Sequence, residues 1–378
     1  MKANPIGSEF QVNIAGSNQR NNPASATSSF GTFVTVWESL TQDGDGRGIF
    51  GRLYRDDGRP IGSEFQVNLT TVGDQDTPAT AMDANGNFVV VWVGDRGNRS
   101  IYGQRFDAQG QPIGSEFRVN AGLTTGSHDS PSVAMTPAGS FIVAWAATQQ
   151  QNNPNGADNS GRGVYAQRFN RNGSPQKRTF RVNTTTNRDQ MNPVVATNRN
   201  GDFVIAWESD QQDGSGKGIF AQRYLRNGDP VGQEFQVNSS TSRDQRNPTI
   251  AMDITGAFVI AWENDRQDGD RSGIYAQRFA PNGNPRGGEF RVNTNTRGDQ
   301  ISPAIGIDAE GNFTVVWASD NRGSGDGDGF GIFAQQFDAD GDRIGSETRI
   351  NTTTQRDQTL PTSAASLKCW VRVKATQL

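Results

Sequence analysis

The chain has 378 residues, of which 33% are hydrophobic and 45 are glycine, and this polar composition argues against a core of long helices. Its formal net charge of −4 gives a phosphate backbone no basic surface, so nucleic acid is not an expected partner. One cysteine and one histidine exclude a disulfide framework and a zinc site of several histidines. No apolar stretch approaches the roughly 18 residues that span a bilayer, so no membrane insertion is expected.

The chain opens on a phrase that recurs along its length. GSEFQVN at 7–13 returns at 62–68, and variants follow at 114–120, 177–183, 232–238, 287–293 and 345–351. Between two copies lie, in order, a segment that follows a proline, a FVVVW-like segment and a GIYAQRF-like segment. All four are short, rich in β-branched or aromatic residues and bounded by Gly, Asn, Asp or Pro, which is typical of β-strands. We name them strands a (after the proline), b (FVVVW), c (GIYAQRF) and d (EFQVN).

The connections between these strands predict tight antiparallel hairpins. Turns such as 83–87 and 226–230 contain a glycine, which supplies the positive φ that a short hairpin requires. Four antiparallel strands in a repeat of roughly 55 residues indicate one blade of a β-propeller. The predicted fold is therefore all-β, a single β-propeller domain of four-stranded antiparallel blades. Its repeats are placed at approximately 14–68, 69–120, 121–183, 184–238, 239–293 and 294–351.

The two ends decide the predicted blade count. Residues 1–13 form an orphan strand d, and residues 352–378 form a partial repeat with an atypical tail from 367. A propeller with a composite closing blade hides both sheet edges, so seven blades are predicted. Six blades, with one copy of strand d left over, are the alternative.

Two features repeat at fixed positions inside the blades. A tryptophan ends strand b in each of six units and follows a proline by 14 residues; these are Trp37, Trp92, Trp145, Trp207, Trp262 and Trp317. The ring predicts packing between blades, with exposed stacking platforms as the alternative. The Gln-Arg pair of strand c, as at 222–223, predicts polar contacts between strands.

The antiparallel meander places the b–c loops and the d–a connections on one face, named here the loop face. The b–c loops are acidic and glycine-rich, and Ca²⁺ takes hard oxygen ligands from flexible loops of this kind. The candidate metal ligands are Asp210, Asp213, Asp265, Asp268, Asp320, Asp326 and Asp328. The alternative is that these short side chains cap turns through their own backbone.

The same face holds the candidate ligand-binding residues. They are Asp210, Asp213, Asp265, Asp268 and Asp320 with Gln190, Gln245, Gln300 and His128. Repetition breaks most in the third unit, where His128 replaces the usual glutamine and the b–c loop at 146–162 is long. A unique patch of this kind is a candidate binding site, and a tolerated surface insertion is the alternative. No residue is assigned a catalytic role.

The repeat resembles the FVVVW, GIYAQRF and GSEFQVN-type repeats of large bacterial secreted and cell-surface proteins, which often occur beside calcium-binding modules. The resemblance covers about residues 5–361. It implies an extracellular or cell-surface setting and possible stabilisation by Ca²⁺, and it supplies no catalytic residues. The first residues, 1–5, lack the apolar core of a signal peptide, so the chain is expected to be a piece of a longer protein or not to use that export route.

Three functions are compatible with this pattern. The first is a non-enzymatic binding or adhesion scaffold, whose repeated loop-face sites hold a glycan or a surface protein with added avidity. The second is a hydrolase that acts on polysaccharide through loop-face carboxylates. The third is a structural unit that self-assembles through its end strands. The first is the main prediction.

Overall fold

The computed structural model describes residues 9–14, 19–148, 161–320, 329–352, 357–362 and 375–376. Four consecutive strands form each sheet, in the antiparallel order a-b-c-d. Blade one comprises β1 (Arg20–Thr27), β2 (Phe33–Leu40), β3 (Arg47–Tyr54) and β4 (Pro60–Gln66). Blade two comprises β5 (Gln75–Met82), β6 (Phe88–Asp95), β7 (Arg99–Phe106) and β8 (Pro112–Arg118). Blade three comprises β9 (His128–Met135), β10 (Phe141–Thr148), β11 (Arg162–Phe169) and β12 (Pro175–Arg181).

The second half of the chain repeats this arrangement. Blade four comprises β13 (Gln190–Thr197), β14 (Phe203–Asp210), β15 (Lys217–Tyr224) and β16 (Pro230–Gln236). Blade five comprises β17 (Gln245–Met252), β18 (Phe258–Asp265), β19 (Ser272–Phe279) and β20 (Pro285–Arg291). Blade six comprises β21 (Gln300–Ile307), β22 (Phe313–Ser319), β23 (Gly331–Phe337) and β24 (Arg343–Arg349). A two-stranded sheet of β25 (Gln358–Thr359) and β26 (Ala375–Thr376) follows.

The prediction of a β-propeller with four-stranded antiparallel blades is confirmed. The described residues form six such blades, so the six-bladed alternative gives the count and the seven-bladed prediction is wrong. The reason is that the partial last repeat contributes only two-residue strands, which pair with each other and build no four-stranded sheet. Residues 1–8 of the orphan strand and most of the tail lie outside the described residues.

The core lies between the blades, where the predicted tryptophan ring is buried. Trp92 packs with Val34 and Val36 of the preceding blade in one apolar cluster, and Trp145 packs with Val91 and Val93 in the same way. Alternate residues of strand b point to opposite faces of the sheet, so each strand b serves two interfaces. The tryptophans therefore join neighbouring blades and offer no exposed platform, as the packing interpretation predicts.

The strands a of successive blades contact one another, from β1 to β5 and onward to β21. They therefore lie innermost and surround the axis of the propeller. Strand a begins at the d–a connection, so its first residues lie at the loop-face end of this axis. Strand a of each of the six blades begins at that end, so residues from several blades can contribute to one site there.

Residues 9–14 lie between blade six and blade one. The Thr352 amide donates to the Glu9 carboxylate (3.0 Å), just as the Thr184 amide donates to Glu234 in the next blade (2.7 Å). On the other side, the Phe10 ring lies 5.5 Å from the Tyr54 ring, and the Tyr54 hydroxyl donates to the Val12 carbonyl. The N-terminal segment thus closes the ring with contacts of the kind that join consecutive blades.

The Gln-Arg pairs of strand c act within and between blades. Gln222 Nε2 donates to the Arg223 carbonyl in its own strand (2.9 Å) and to the Val231 carbonyl in strand d (3.3 Å). The arginines instead reach the c–d turn of the next blade. Arg105 donates through Nη1 to the Asn172 carbonyl (2.7 Å) and through Nη2 to the Arg171 carbonyl (2.8 Å).

We expect Arg105→Ala to lower the free energy of unfolding by about 1–2 kcal/mol, because two charge-assisted hydrogen bonds between blades are lost. Urea denaturation at pH 7 measures this. Arg59→Ala is the control, because the Arg59 side chain forms an exposed ion pair with Asp57 (3.5 Å) and its removal should change stability by less than about 0.5 kcal/mol. Equal effects of the two substitutions would show that the turn contact does not link the blades.

Candidate functional site

A ring of kinked residues surrounds the axis at the loop face. The residue before the proline of strand a has positive φ, between 48° and 54°, in every repeat: Asn22, Thr77, Ser130, Asn192, Asn247, Ser302 and Leu360. This region is costly for residues other than glycine and is held only where surrounding contacts impose it. The strand bulges at this point in all six blades, which frees the amide of the kinked residue from the ladder.

In three blades a buried glutamate follows the tryptophan and receives that freed amide from the next blade. Glu208 Oε1 accepts from the Asn247 amide and from Asn192 Nδ2, both at 2.8 Å. Glu263 Oε1 accepts from the Ser302 amide (2.6 Å) and from Asn247 Nδ2 (2.9 Å). Glu38 makes the same pair of contacts in blade one. We call the place of these carboxylates the inter-blade carboxylate position.

A cation at the start of strand c faces the inter-blade carboxylate position in two of these blades. Lys217 Nζ lies 3.0 Å from Glu208 Oε2, and Arg47 Nε lies 4.0 Å from Glu38 Oε2. Burial raises the pKa of Glu38, although its hydrogen bonds and the charge of Arg47 act to lower it. Burial also raises the pKa of Glu263, whose blade carries Ser272 where the others carry the cation. The carboxylates are thus part of the packing between blades.

Blades two, three and six depart from this scheme, and blade six has Ala318 in the glutamate's place. Val93 and Ala146 occupy the glutamate's place in strand b, and the acid moves to strand a, as Asp76 and Asp129. Arg99 holds Asp76 with two hydrogen bonds of 3.0 Å each, and Arg162 Nη1 lies 2.8 Å from Asp129 Oδ2. Asp76, Arg99, Asp129 and Arg162 form what we call the charged cluster.

The charged cluster combines carboxylates in different electrostatic settings. Asp76 has the two-point ion pair that Arg forms with a charged carboxylate. Burial raises the pKa of Asp129, although Arg162 and Arg99 oppose the shift and nearby Asp76 adds to it. The two aspartate side chains are 14% and 16% exposed, so both are partly accessible to solvent. Such a pair can divide acid and base roles between its members.

The glutamines predicted to bind ligand lie inside the protein. Gln190, Gln245 and Gln300 are 0% exposed. In each, Oε1 accepts from an asparagine of the preceding strand d, as Gln190 does from Asn183 Nδ2 (2.9 Å). Each Nε2 donates to carbonyls of its own d–a connection, such as that of Asn187 (2.9 Å). Their contacts give them a structural role at the blade junction, and ligand binding by them remains a prediction.

His128 takes the glutamine's place in blade three and is also 0% exposed. Trp145 Nε1 donates to its Nδ1 (3.1 Å), and its Nε2 lies 3.1 Å from the Thr125 carbonyl, to which it donates. Burial lowers the pKa of His128 to about 4. A neutral imidazole that fixes a core tryptophan has no nitrogen left for a ligand, and the part of its neighbouring loop at 149–160 lies outside the described residues.

The acidic loop residues form turns and surface ion pairs. Asp213 Oδ1 accepts from the Ser215 amide (3.2 Å) and Asp268 Oδ1 from the Asp270 amide (3.5 Å). Asp320 Oδ1 accepts from the Asp299 amide (2.8 Å). Asp210 and Asp265 lie 3.7 Å from Arg188 and Arg243, respectively.

These contacts match the turn interpretation of the acids and do not bring them together. Within the described ranges, no group of three or more His, Cys, Asp or Glu side chains is placed to hold a metal ion. Asp326 and Asp328 lie outside those ranges. Binding of Ca²⁺ to the acidic loops therefore remains a prediction that no contact in the described loops supports.

Sequence reasoning missed the charged cluster. The signal that finds it is a departure from the repeat: the residue after the glutamine or histidine of strand a is an aspartate only in blades two and three, where the residue after the tryptophan is not a glutamate.

Among the described residues, no helix has the length and hydrophobicity to span a bilayer.

Comparison with known proteins reveals fold likeness alone. No protein-family model matches the chain, and no curated protein matches it. A protein of unknown function from Dyadobacter fermentans is 11% identical with a TM-score of 0.52, covering 83% of this chain and 94% of that one. An α-L-arabinanase from Penicillium chrysogenum, solved with arabinobiose, is 12% identical with a TM-score of 0.52, covering 85% and 94%.

A third structure is similar over part of its length. The acylaminoacyl peptidase of Pyrococcus horikoshii is 10% identical with a TM-score of 0.53, covering 94% of this chain and 49% of that one. At these identities the three likenesses support the propeller architecture and carry no residue of a site across.

Proposed function

We propose that this chain is a hydrolase that acts on polysaccharide, with its active site in the charged cluster at the loop-face end of the axis. One observation carries the proposal: Asp76 and Asp129 lie in neighbouring blades, are partly exposed, and occur only where the repeat departs from its pattern. An active site in a repeat scaffold departs from the symmetry of the repeat, because the one substrate that binds there is not itself symmetric.

The two aspartates would divide the work of glycoside cleavage. Asp129 is the proton donor to the leaving oxygen, since burial raises its pKa and favours the protonated form. Asp76, held by Arg99, is the charged carboxylate that stabilises positive charge on the sugar or activates water. The arabinanase with a similar fold makes arabinan a reasonable first substrate to test.

We expect Asp129→Asn to lower turnover at least 100-fold, which is the low end of the effect of a general acid. The measurement is reducing-sugar release from a panel of polysaccharides that includes arabinan. Asp340→Asn is the control, since Asp340 lies in a c–d turn on the opposite face and should leave turnover unchanged. No turnover on any polymer, or equal turnover by both variants, would overturn the proposal.

The non-enzymatic adhesion scaffold gains no support from the fold neighbours or from the contacts of the loop face. It differs from the hydrolase in one result: a binding scaffold keeps its glycan affinity in Asp129→Asn and shows no turnover in the wild type. An extracellular or cell-surface setting suits a polysaccharide substrate and is proposed on the resemblance of the repeat alone.

A further inference from the structure

The inter-blade carboxylate position lacks its carboxylate in three blades, of which blades two and three keep the facing cation and blade six, with Ala318, has Phe330 in its place. Where blades one, four and five place a glutamate, blade two has Val93 and blade three has Ala146. The backbone that surrounds the position is unchanged. The kinked residues that follow, Ser130 and Asn192, both have φ of 51°, against 49° for Asn247, whose amide donates to Glu208. Their amides therefore have the orientation that serves a carboxylate elsewhere.

Two of the three partners of the missing carboxylate are also present. In blade four these partners are a polar side chain of strand a, the amide of the next blade and the cation Lys217. Blade three has the Asn192 amide and Arg162 in two of these places, and blade two has the Ser130 amide and Arg99. The hydroxyls in the third place already donate within the protein, that of Ser130 to Asn192 Oδ1 (3.2 Å) and that of Thr77 to Asp76 Oδ1 (3.1 Å). In the parts of the chain that the structure describes, no carboxylate side chain accepts from the Ser130 or Asn192 amide.

The arginines keep capacity for another acceptor. Each guanidinium has five N–H donors, and Arg162 directs only Nη1 to Asp129 in its ion pair. The Arg99 and Arg162 side chains are 35% and 37% exposed, so a ligand in solution can reach them. Val93 and Ala146 are shorter than glutamate and carry no acceptor, so neither side chain can take the place of the carboxylate.

We propose that the junctions of blades two, three and four bind carboxylates of the ligand, so that the substrate class is an acidic polysaccharide containing uronic acid units. The ligand carboxylate would accept from the Ser130 amide and Arg99 at one junction, and from the Asn192 amide and Arg162 at the other. The identity of the ligand as a glycan rests on the proposed function, whereas recognition of a carboxylate rests on the internal comparison of the blades.

The test uses D-galacturonate oligomers and their methyl esters, which carry the same sugar with the charge removed. We expect calorimetry on the wild-type chain to give at least tenfold tighter binding of the acid than of the ester. Ala146→Glu fills one position with the chain's own carboxylate and should weaken acid binding at least tenfold. Ala318→Glu is the matched control, because blade six has Phe330 where blade three has Arg162, and it should keep the preference.

A second variant covers failure of Ala146→Glu to fold. Glu208→Ala opens the same position beside Lys217, so acetate at millimolar concentration should raise its unfolding midpoint more than that of the wild type. Equal affinity for acid and ester, or no rescue by acetate, would overturn the inference. Hydrolysis of neutral polymers without any preference for the acid would sink this inference and leave the hydrolase. Preference for the acid without turnover would support carboxylate recognition and overturn the hydrolase.

Discussion

The wild-type chain is expected to lose about 3 kcal/mol of stability between pH 7 and pH 4 through His128 alone. Its pKa falls from 6.5 to about 4 on folding, because the ring is buried and neutral between Trp145 and Thr125. The unfolded chain therefore binds more protons within that window, and stability falls as the pH falls through it. At 1.36 kcal/mol per pKa unit, the shift corresponds to the stated loss.

The assignment is unusually direct because the chain has one histidine. His128→Gln installs the glutamine that blades two, four, five and six use, so the variant should fold and should lack this part of the pH dependence. Urea unfolding of both proteins at intervals from pH 7 to pH 4 gives the difference, in which the carboxylates common to both cancel. Parallel curves for the wild type and the variant would mean that His128 titrates normally in the folded chain.

The elements of the blades could be predicted from sequence because each signal occurs six times. The tryptophan of strand b and the glycine of each hairpin recur at one position, and chance does not reproduce such a pattern. The blade count could not be predicted in the same way. The segment at 357–361 resembles the start of another repeat, but whether a start becomes a blade depends on which strands pair, and strand a alone carries no such information.

The interior role of the glutamines was hidden for a different reason. A polar residue beside a loop is expected to be exposed, yet Gln190 and Gln245 are buried because an asparagine seven residues earlier satisfies each of them. That spacing is visible in the sequence, although its meaning requires the neighbouring strand. The charged cluster was missed because the prediction rested on acids that recur from blade to blade. Asp76 and Asp129 have no counterparts in the other blades.

Two isosteric substitutions separate the roles of the buried glutamates. Glu208→Gln should lower the free energy of unfolding by about 3 kcal/mol, the low end for breaking a buried ion pair, because the Lys217 side chain is 29% exposed. Oε1 of Glu208 already accepts both hydrogen bonds, one from Asn192 in its own blade and one from the Asn247 amide of the next, so a glutamine keeps them and places its amino group against the Lys217 ammonium. Denaturant unfolding at pH 7 measures the loss.

Glu263→Gln should be neutral or stabilising at pH 7 by the same measurement. Its Oε1 also accepts both hydrogen bonds, and no cation lies opposite in strand c, where Ser272 stands. Burial raises the pKa of Glu263, so the folded chain binds more protons above the usual carboxyl range, and the cost of its charge grows as the pH rises through that window. The advantage of the glutamine should therefore shrink toward pH 4. Equal losses of stability in both variants would mean that the carboxylates stabilise the blades by their charge alone. A loss confined to Glu208→Gln would mean that the charge is stabilising only where Lys217 pairs with it.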